Sequence, residues 1–540
     1  MRHVAAAAAL VALIAVVYGA SVGHQFVFDD QALVVDNPVV QLPLSRVHEL
    51  LLGTETGITY RPLRIFSYMV DYRLAGGLDP ATFHLSNLAY HAAATLALYT
   101  LAWLTIGSVA GALCAAALFA VHPLGSEAVV YVAGRRDLLS TLCVLLALTC
   151  WWALLRAPGG APRGYGRERR RALGAGGVLA LAGMVLFAIL GIAAKETAVV
   201  LPVLALLLWM ARRASPPQGA AIAQVWAALA ASAAALVVVG FWLYAAALGP
   251  SLAQLAGDAL APQPALSLRV IGQYIWLVLW PAHLSADYRA YAFALPTAPL
   301  DGPSLVAGAA LAVVALAGVF LLSRGAIAGA GLLWFLVALL PVAQLVPYSE
   351  VISEHNAYLA LAGLALAAGQ GVAVAARARP RLVAVVAMCL LVALAVRSHA
   401  RTLDWRDNRT LWQATVTLAP DSVRGQYNLG VALLAEGDLL GSQTALERAA
   451  ALAPSDRDVL LILANVSGRL GEFDRAYGFA ARAVELQRDT RSLSVLGWAV
   501  LSRGRPDAAI PLFEEALERG GDTADARRGL ARARAGLGRF

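Results

Sequence analysis

The chain has 540 residues, of which 60% are hydrophobic and 14% are charged, and its mean hydropathy is +0.68. This composition excludes an ordinary water-soluble domain for most of the chain and predicts a polytopic membrane protein. The net charge of +8 does not indicate a nucleic-acid partner, because arginines cluster in short loops, as the positive-inside rule expects of cytoplasmic loops. These clusters are Arg163 to Arg171, Arg212-Arg213 and Arg377 to Arg381.

An apolar run to about Ala20 follows Met1-Arg2-His3 and could be a signal peptide or an anchor, and we expect an anchor. Ten further apolar runs bring the predicted number of spans to about 11. They lie near 84 to 106, 108 to 121, 137 to 155, 174 to 193, 196 to 211, 221 to 248, 303 to 322, 328 to 346, 357 to 376 and 382 to 397. The short apolar stretch 266–281 is interpreted as a re-entrant or interfacial helix, because an additional span there would contradict the loop charges.

Two adjacent carboxylates, Asp29 and Asp30, follow the first span in an apolar neighbourhood. If the amino terminus is inside, these acids lie outside, and a carboxylate at that surface can act as a general base. Further along the same loop, apolar residues at helical spacing alternate with basic ones from Arg61 to Leu74. This pattern predicts a helix in the membrane surface with Pro62 in its first turn.

Ionisable residues recur at the predicted outer ends of the spans, where such groups usually face a cavity or a partner. These residues are His84, His91, His122, Glu127, Arg135, Lys195, Glu196, Glu354 and His355. His84, Asn87 and His91 share one helix face and could line a cavity or form hydrogen bonds between helices. No compact metal-ligand motif is present, so no metal site is predicted.

Lys195 is the only lysine in the chain. It could be a snorkelling side chain paired with a carboxylate, or a cation for a lipid-linked phosphate. Its solitary occurrence favours the second interpretation, with Arg61, Arg135 and His355 as further phosphate-binding candidates.

From about residue 398 the chain becomes charged and repetitive, with a period of 34 and then 33 residues. Small residues recur in register, such as Gly430, Ala464 and Gly497, and they allow paired helices to approach closely. This pattern is typical of tetratricopeptide repeats. Three repeats are predicted near 423–456, 457–489 and 490–522, with a capping helix at 524–539. The predicted fold is all-α, with a membrane domain at 1–398 and a repeat solenoid at 399–540.

Several motifs occur in an order that resembles the transmembrane O-mannosyltransferases with tetratricopeptide repeats and, more broadly, the C-type glycosyltransferases. The motifs are FVFDDQALVVDNP (26 to 38), TYRPLRIFSY (59 to 68), FHLSNLAYHA (83 to 92), FAVHPLGSEAVVYVAGRRDLLS (119 to 140), AAKETAVVLP (193 to 202), SEHNAYLALAG (353 to 363) and DWRDNRTLW (404 to 412). In the outer loop before the predicted span at 357 to 376, family members often have an arginine directly after an acid. This chain has Glu354-His355 at that place.

The resemblance implies a C-type glycosyltransferase-like membrane domain that transfers a sugar, mannose by the family name, from a polyprenyl-phosphate donor. The acceptor would be a hydroxyl, presumed to belong to a protein that the repeats select, and the anomeric carbon would be inverted. The resemblance assigns the catalytic acid to the pair Asp29-Asp30. We expect Asp29 as the base and Asp30 in support, because successive side chains of an extended segment point to opposite sides.

The expected location is a bacterial inner membrane, with the amino terminus cytoplasmic and the repeats periplasmic. No cofactor besides the lipid-linked donor is assigned, and a requirement for a divalent metal is left open. The main alternative is a non-enzymatic scaffold whose repeats recruit exported proteins. A lipid-linked glycan flippase is disfavoured, because it would need polar groups at mid-membrane depth.

Overall fold

A computed structural model describes residues 1–52, 61–156, 175–212, 264–288, 301–345, 350–520 and 523–538. All regular secondary structure of the described residues is helical, with no strand in these ranges, which confirms the all-α prediction. It forms two compact units. The first comprises Met1–Leu284 with Leu295–Asp407, and the second comprises Ser285–Ala294 with Asn408–Phe540.

The helices of the first unit that the structure describes are numbered here in chain order. They are α1 (Arg2–Tyr18), α2 (His48–Leu52), α3 (Pro62–Ala75), α4 (Pro80–Ile106), α5 (Val109–Val121), α6 (Ser126–Val130), α7 (Arg135–Arg156), α8 (Ala175–Ala194), α9 (Leu201–Met210), α10 (Pro264–Leu279), α11 (Gly302–Ser323), α12 (Ile327–Leu339), α13 (Tyr358–Ala378) and α14 (Pro380–Asp404).

Seven helical segments of the described chain are long and apolar enough to cross a membrane, which supports a multi-pass membrane domain. They are Arg2–Gly23, Pro80–Ile106, Val132–Leu155, Gly176–Ala194, Gly302–Ser323, Glu354–Ala378 and Pro380–Asp404. An eighth candidate, Val109–Val121 with Pro123–Val130, bends by 56°. The bend follows His122, which precedes Pro123 and adopts an extended conformation, as residues before proline usually do.

Three of the expected membrane segments are shorter than a simple span requires. Glu196–Met210 and Ile327–Val342 coincide with predicted spans, and Pro264–Leu279 coincides with the predicted re-entrant or interfacial helix. The predicted span 221–248 lies outside the described residues, as do the arginines from 163 to 171. Every other predicted span falls on a described helix.

Small residues set the distance between helices α5 and α13. A Cβ atom added to Gly111 would lie 2.7 Å from the backbone oxygen of Gly369, so the two backbones are almost in contact. Such contacts stabilise helix pairs in lipid, where packing rather than water exclusion holds helices together.

The second unit contains the repeat helices, preceded by one helix that the repeat period did not predict. They are α15 (Asn408–Leu418), α16 (Val423–Glu436), α17 (Leu439–Leu452), α18 (Arg457–Arg469), α19 (Phe473–Leu486), α20 (Thr490–Ser502), α21 (Pro506–Glu518) and α22 (Ala524–Gly536). Each predicted repeat thus contains one helix pair, and α22 occupies the position of the capping helix. The repeat solenoid is confirmed.

Glycine has two distinct uses in these repeats. Gly437, Gly471 and Gly504 turn the chain between paired helices with φ of +86°, +82° and +74°, a left-handed conformation that other residues seldom adopt. Gly497 allows close packing instead, because a Cβ atom there would lie 2.7 Å from the ring of Phe513.

The boundary between the two units differs from the predicted one at residues 398 and 399. That position falls inside helix α14, which continues to Asp404, and the first unit ends at Asp407. In addition, a segment from the middle of the chain, Ser285–Ala294, belongs to the second unit. Composition could not reveal that this segment belongs to the second unit, because the segment is short and lies far from the repeats in sequence.

Candidate functional site

The two acids after α1 occupy different surroundings. Asp30 is fully buried, and its carboxyl oxygens accept hydrogen bonds from the Val27 N–H at 3.1 Å and the Ala133 N–H at 2.8 Å. Asp29 is exposed, and no hydrogen bond to its carboxylate is formed by the described residues. Burial raises the pKa of Asp30 to about 7, although its backbone hydrogen bonds act in the opposite direction.

The prediction that this acid pair lies in an extended segment is wrong. Phe28 has a φ of +56°, and the Asp30 N–H donates to the Val27 carbonyl at 3.0 Å, so Phe28 and Asp29 form a turn. We call residues 27–30 the acid turn. The two carboxylates still differ in exposure, but the turn causes this difference and the pleat of a strand does not.

The three predicted site histidines at the starts and ends of spans are buried and hydrogen-bonded. His91 contacts the Tyr358 hydroxyl at 2.6 Å and the Ala120 carbonyl at 3.1 Å. His84 contacts the Gln25 carbonyl at 3.4 Å. The bonds of His91 join helices, as one of the two predicted alternatives expected, whereas the bond of His84 joins α4 to the loop after α1.

His122 also has both ring nitrogens in use. Its Nδ1 accepts from the Leu124 N–H at 3.2 Å, so its Nε2 donates to the Val278 carbonyl at 3.1 Å. This histidine therefore joins the bend after α5 to the end of α10.

Arg135, a predicted phosphate ligand, has its donors committed to protein groups. Its guanidinium is fully buried and lies 2.5 Å from the Asp71 carboxylate. It also donates to the Asn87 side chain at 2.7 Å, the Phe83 carbonyl at 2.7 Å and the Ser67 hydroxyl at 3.3 Å. Arg135 thus joins α3, α4 and α7, and it has little capacity left for a ligand.

Lys195 and Glu196 are adjacent in sequence but have different partners. The Lys195 ammonium is 3% exposed and donates to Asp137 and to Asn356, at 2.7 Å each. Glu196 forms an ion pair with Arg61 at 2.8 Å. Lys195 and Arg61, both predicted to bind phosphate, therefore lie within electrostatic range of each other. Each is paired with a carboxylate that partly neutralises its charge.

His355, another predicted phosphate-binding residue, lies between Glu127 and Arg136. Its Nε2 is 2.8 Å from the Arg136 guanidinium, which can only donate, so this nitrogen carries no proton. The Nδ1–H therefore donates to the Glu127 carboxylate at 2.6 Å. In this arrangement the imidazole is neutral and holds Arg136 in place, and it does not supply a positive charge.

Glu354 precedes this histidine and is also buried. It forms an ion pair with Arg401 at 3.0 Å, and Arg401 lies 3.2 Å from Asp404. Glu354 therefore joins the start of α13 to the end of α14. Arg401 was not among the predicted site residues, because nothing in its local sequence distinguishes it from the loop arginines.

Two further residues were not among the predicted site residues: Tyr131, which lies beside the acid turn, and Arg64, which lies near Tyr131. Tyr131 packs its ring against Phe28 and Trp405, with centroids 5.8 and 5.2 Å apart. Arg64, in the first turn of α3, is 1% exposed and within electrostatic range of Tyr131 and Arg136. Arg64 lies in the quoted motif TYRPLRIFSY, and Arg136 directly follows Arg135 in another quoted motif. Membership of these motifs was the sequence feature that could have identified both arginines.

The described residues thus bring together the acid turn, Tyr131 and a group of four cations. We call Arg61, Arg64, Arg136 and Lys195 the cation group. Tyr131 lies within electrostatic range of Asp29, Asp30 and Arg136, which places the acid turn beside this group. No three His, Cys, Asp or Glu side chains within the described ranges are grouped so that they could hold a metal ion.

No protein-family model matches the chain. Protein O-mannosyl-transferase Tmtc2 of Drosophila melanogaster is 34% identical over 193 residues, which cover 34% of this chain and 19% of that protein. Protein O-mannosyl-transferase TMTC4 of Homo sapiens is 31% identical over 153 residues, which cover 24% of this chain and 21% of that protein. The chain is similar to the protein O-mannosyl-transferases. The resemblance expected from the motifs is confirmed, although the chain aligns with only about a fifth of each relative's length.

Solved structures also resemble the chain. ArnT from Cupriavidus metallidurans, bound to undecaprenyl phosphate, matches 97% of this chain and 87% of its own, with 15% identity and a TM-score of 0.39. TTC0263, a thermophilic TPR protein of Thermus thermophilus, matches 27% of this chain and 89% of its own, with 25% identity and a TM-score of 0.22.

Proposed function

We propose that this protein is a membrane glycosyltransferase that moves a sugar from a polyprenyl-phosphate donor to a hydroxyl group of a protein. The proposal rests on the acid turn, in which Asp29 is exposed and the adjacent Asp30 is buried and hydrogen-bonded. This turn lies beside the cation group. The name of the relatives, protein O-mannosyl-transferase, supports mannose as the sugar and a protein as the acceptor.

Asp29 acts as the general base in this proposal. It takes the proton of the acceptor hydroxyl while the hydroxyl oxygen bonds to the anomeric carbon of the sugar. The bond between that carbon and the phosphate oxygen breaks, and polyprenyl phosphate leaves with the bonding electrons. A single displacement of this kind inverts the anomeric carbon, and the positive charge that develops on the sugar ring resembles that in glycoside hydrolysis.

The cation group would stabilise the departing phosphate. Lys195 and Arg61 keep the phosphate-binding role that was expected of them, and Arg136 joins them. Arg135 and His355 act indirectly, because Arg135 holds three helices together and His355 orients Arg136. Positive groups that are fixed before the reaction stabilise developing negative charge without reorganisation.

The repeat unit would select the acceptor, and the proposed location is the inner membrane of a bacterium. The reaction side is the periplasm, with the amino terminus in the cytoplasm and the repeats outside. Arginines at Arg377 and Arg381, at the opposite ends of α13 and α14 from Glu354 and Asp404, support this orientation under the positive-inside rule. Reporter fusions after residues 378 and 540 would test it, since only the second should report a periplasmic position.

Transfer of labelled mannose tests the proposed activity directly. Purified protein in lipid nanodiscs would receive polyprenyl-phosphomannose and candidate exported proteins, with and without a chelator. We expect Asp29→Asn to reduce transfer by roughly 100-fold or more, the usual contribution of a general base, while the melting temperature stays unchanged. The anomeric configuration of the product, measured by NMR, should be opposite to that of the donor.

Asp36→Asn is the matched control, because Asp36 is another exposed aspartate of the same loop. It should leave transfer near the wild-type rate. Full transfer by the Asp29→Asn protein would exclude Asp29 as the base. Absence of transfer from any donor by folded wild-type protein would refute the enzyme and favour a scaffold that recruits exported proteins.

A further inference from the structure

Arg64 is a buried cation, and no carboxylate of the described residues compensates its charge. Its side chain is 1% exposed, and its Nε–H has no hydrogen-bond partner among the residues that the structure describes. No ion pair to its guanidinium is formed by the described residues. A buried guanidinium normally has a carboxylate or several carbonyl partners, because its removal from water is costly.

The position of Arg64 on helix α3 adds to this cost. Arg61 occupies the N-cap position of α3 without a side-chain capping bond, Arg64 lies in the first turn, and that turn contains no acidic residue. The start of a helix carries partial positive charge and favours anions, so an arginine there that faces no carboxylate is unfavourable unless an anion binds beside it. Burial lowers the pKa of Arg64 to about 10, and Arg61 and Arg136 act in the same direction.

A second unsatisfied group lies near Arg64. The Tyr131 side chain is 1% exposed, and its hydroxyl has no hydrogen-bond partner in the described ranges. Its ring is held between Phe28 of the acid turn and Trp405, so the hydroxyl position is fixed. Among the described residues, two buried polar groups, a cation and a hydroxyl, therefore have donors without hydrogen-bond partners, and the two groups lie within electrostatic range of one another.

We propose that Arg64 and the Tyr131 hydroxyl form a phosphate-binding subsite that holds the phosphate of the lipid-linked sugar beside the acid turn. The other members of the cation group already face carboxylates. Arg61 is 2.8 Å from Glu196, and Lys195 and Arg136 are 2.7 and 3.6 Å from Asp137. Within the described part of the chain, Arg64 is thus the member of the group that faces no carboxylate, and its positive charge matches the single negative charge of a phosphodiester.

This inference rests on the proposed function for the identity of the ligand, but binding tests it without any sugar transfer. Full-length protein in nanodiscs would be titrated with polyprenyl phosphate, with uncharged polyprenol and with inorganic phosphate. We expect Arg64→Gln to weaken polyprenyl phosphate binding roughly tenfold or more, as loss of a charge-assisted hydrogen bond does. Polyprenol binding should not change, and inorganic phosphate should bind far more weakly than polyprenyl phosphate.

Tyr131→Phe keeps the ring contacts and removes only the hydroxyl, so we expect a roughly threefold to tenfold loss of polyprenyl phosphate affinity. Arg73→Gln is the matched control, since Arg73 lies at the exposed end of the same helix and should leave binding unchanged.

The melting temperature of the ligand-free protein distinguishes binding from a structural role. Because Arg64 is buried without a counter-charge, Arg64→Gln should leave that temperature unchanged or raise it. A lower melting temperature with unchanged polyprenyl phosphate affinity would overturn the subsite. If Arg64→Gln does not fold, Tyr131→Phe provides the binding comparison, and unchanged affinity in that variant would also overturn the subsite.

Equal affinity for inorganic and polyprenyl phosphate would overturn the assignment to a lipid-linked ligand. Loss of polyprenyl phosphate binding in these variants, with no sugar transfer by wild-type protein, would support the subsite and refute the proposed enzyme. The two proposals can therefore fail separately.

Discussion

Asp29 and Asp30 are neighbours in sequence, yet the protein gives them opposite surroundings. The carboxyl group of the buried Asp30 accepts hydrogen bonds from the Val27 N–H within the turn and from the distant Ala133 N–H. These bonds fix the turn in which Asp29 is exposed. A local pattern could predict that one of the pair is a base and the other a support. It could not predict the turn, because a left-handed phenylalanine is rare and the ring of Phe28 packs against Tyr131, which is distant in sequence.

The raised pKa of Asp30 predicts that stability depends on pH. Because the folded pKa is about 7 and an unfolded aspartate titrates near 4, the folded state binds the proton more tightly. The stabilisation that the protonated Asp30 carboxyl gives to the folded state is therefore complete below about pH 4. It is lost as the pH rises to about 7. We expect the wild-type protein to lose about 2–3 kcal/mol of stability between about pH 5 and pH 8 through this group.

Asp30→Asn tests this dependence, because asparagine resembles the protonated carboxyl and does not titrate. Thermal unfolding in nanodiscs would be measured across the same pH range. The variant should lose less stability than the wild-type protein as the pH rises, whereas Asp36→Asn should follow the wild-type curve. Parallel curves for wild type and Asp30→Asn would show that Asp30 is already ionised at low pH.

At the scale of elements, the site depends on how α3, α4 and α7 are joined. Arg135 forms this junction through Asp71, Asn87, Phe83 and Ser67. Arg135→Lys keeps the charge but cannot reach all of these acceptors with the planar fork of a guanidinium. We expect a loss of about 2–4 kcal/mol of stability from the buried groups left without partners, measured by thermal unfolding.

Arg73→Lys is the control for this substitution. Arg73 belongs to α3 as well, but it is exposed and donates to the Gln41 carbonyl at 2.7 Å. Its replacement should change stability by less than about 0.5 kcal/mol. A wild-type melting temperature for Arg135→Lys would refute the junction and return Arg135 to the candidates for binding phosphate.

The order of elements was predictable, whereas the pairing of side chains was not. Hydrophobic runs and the repeat period depend on residues close in sequence, so the helices and repeats could be located from the chain alone. Which arginine lacks a partner depends on contacts between distant helices. The sequence therefore singled out Arg135, whose donors are occupied, and passed over Arg64 in the same set of motifs. Likewise, Lys195 pairs with Asp137 and not with the adjacent Glu196.

At the scale of the whole molecule, the repeat unit includes a segment that the chain contributes long before the repeats begin. The Asp287 carboxylate lies 2.5 Å from the Ser422 hydroxyl, and that hydroxyl also accepts from the Gly425 N–H at 2.8 Å. Ser422 is the capping residue of α16, so Asp287 holds in place the cap of the first repeat helix.

Asp287→Ala in the full-length protein should therefore loosen the start of α16. Loss of a helix cap typically costs about 1 kcal/mol, and the opening of the first turn should become correspondingly more frequent. We expect faster amide hydrogen exchange at residues 423–426, by roughly fivefold, with the later repeats unchanged. Asp421→Ala removes a neighbouring acid whose ion pair with Arg448 is exposed, and it should leave this exchange unaltered. Equal exchange in both variants would mean that Ser422 caps the helix without help, and that the segment around Asp287 joins the repeat unit through apolar contacts instead.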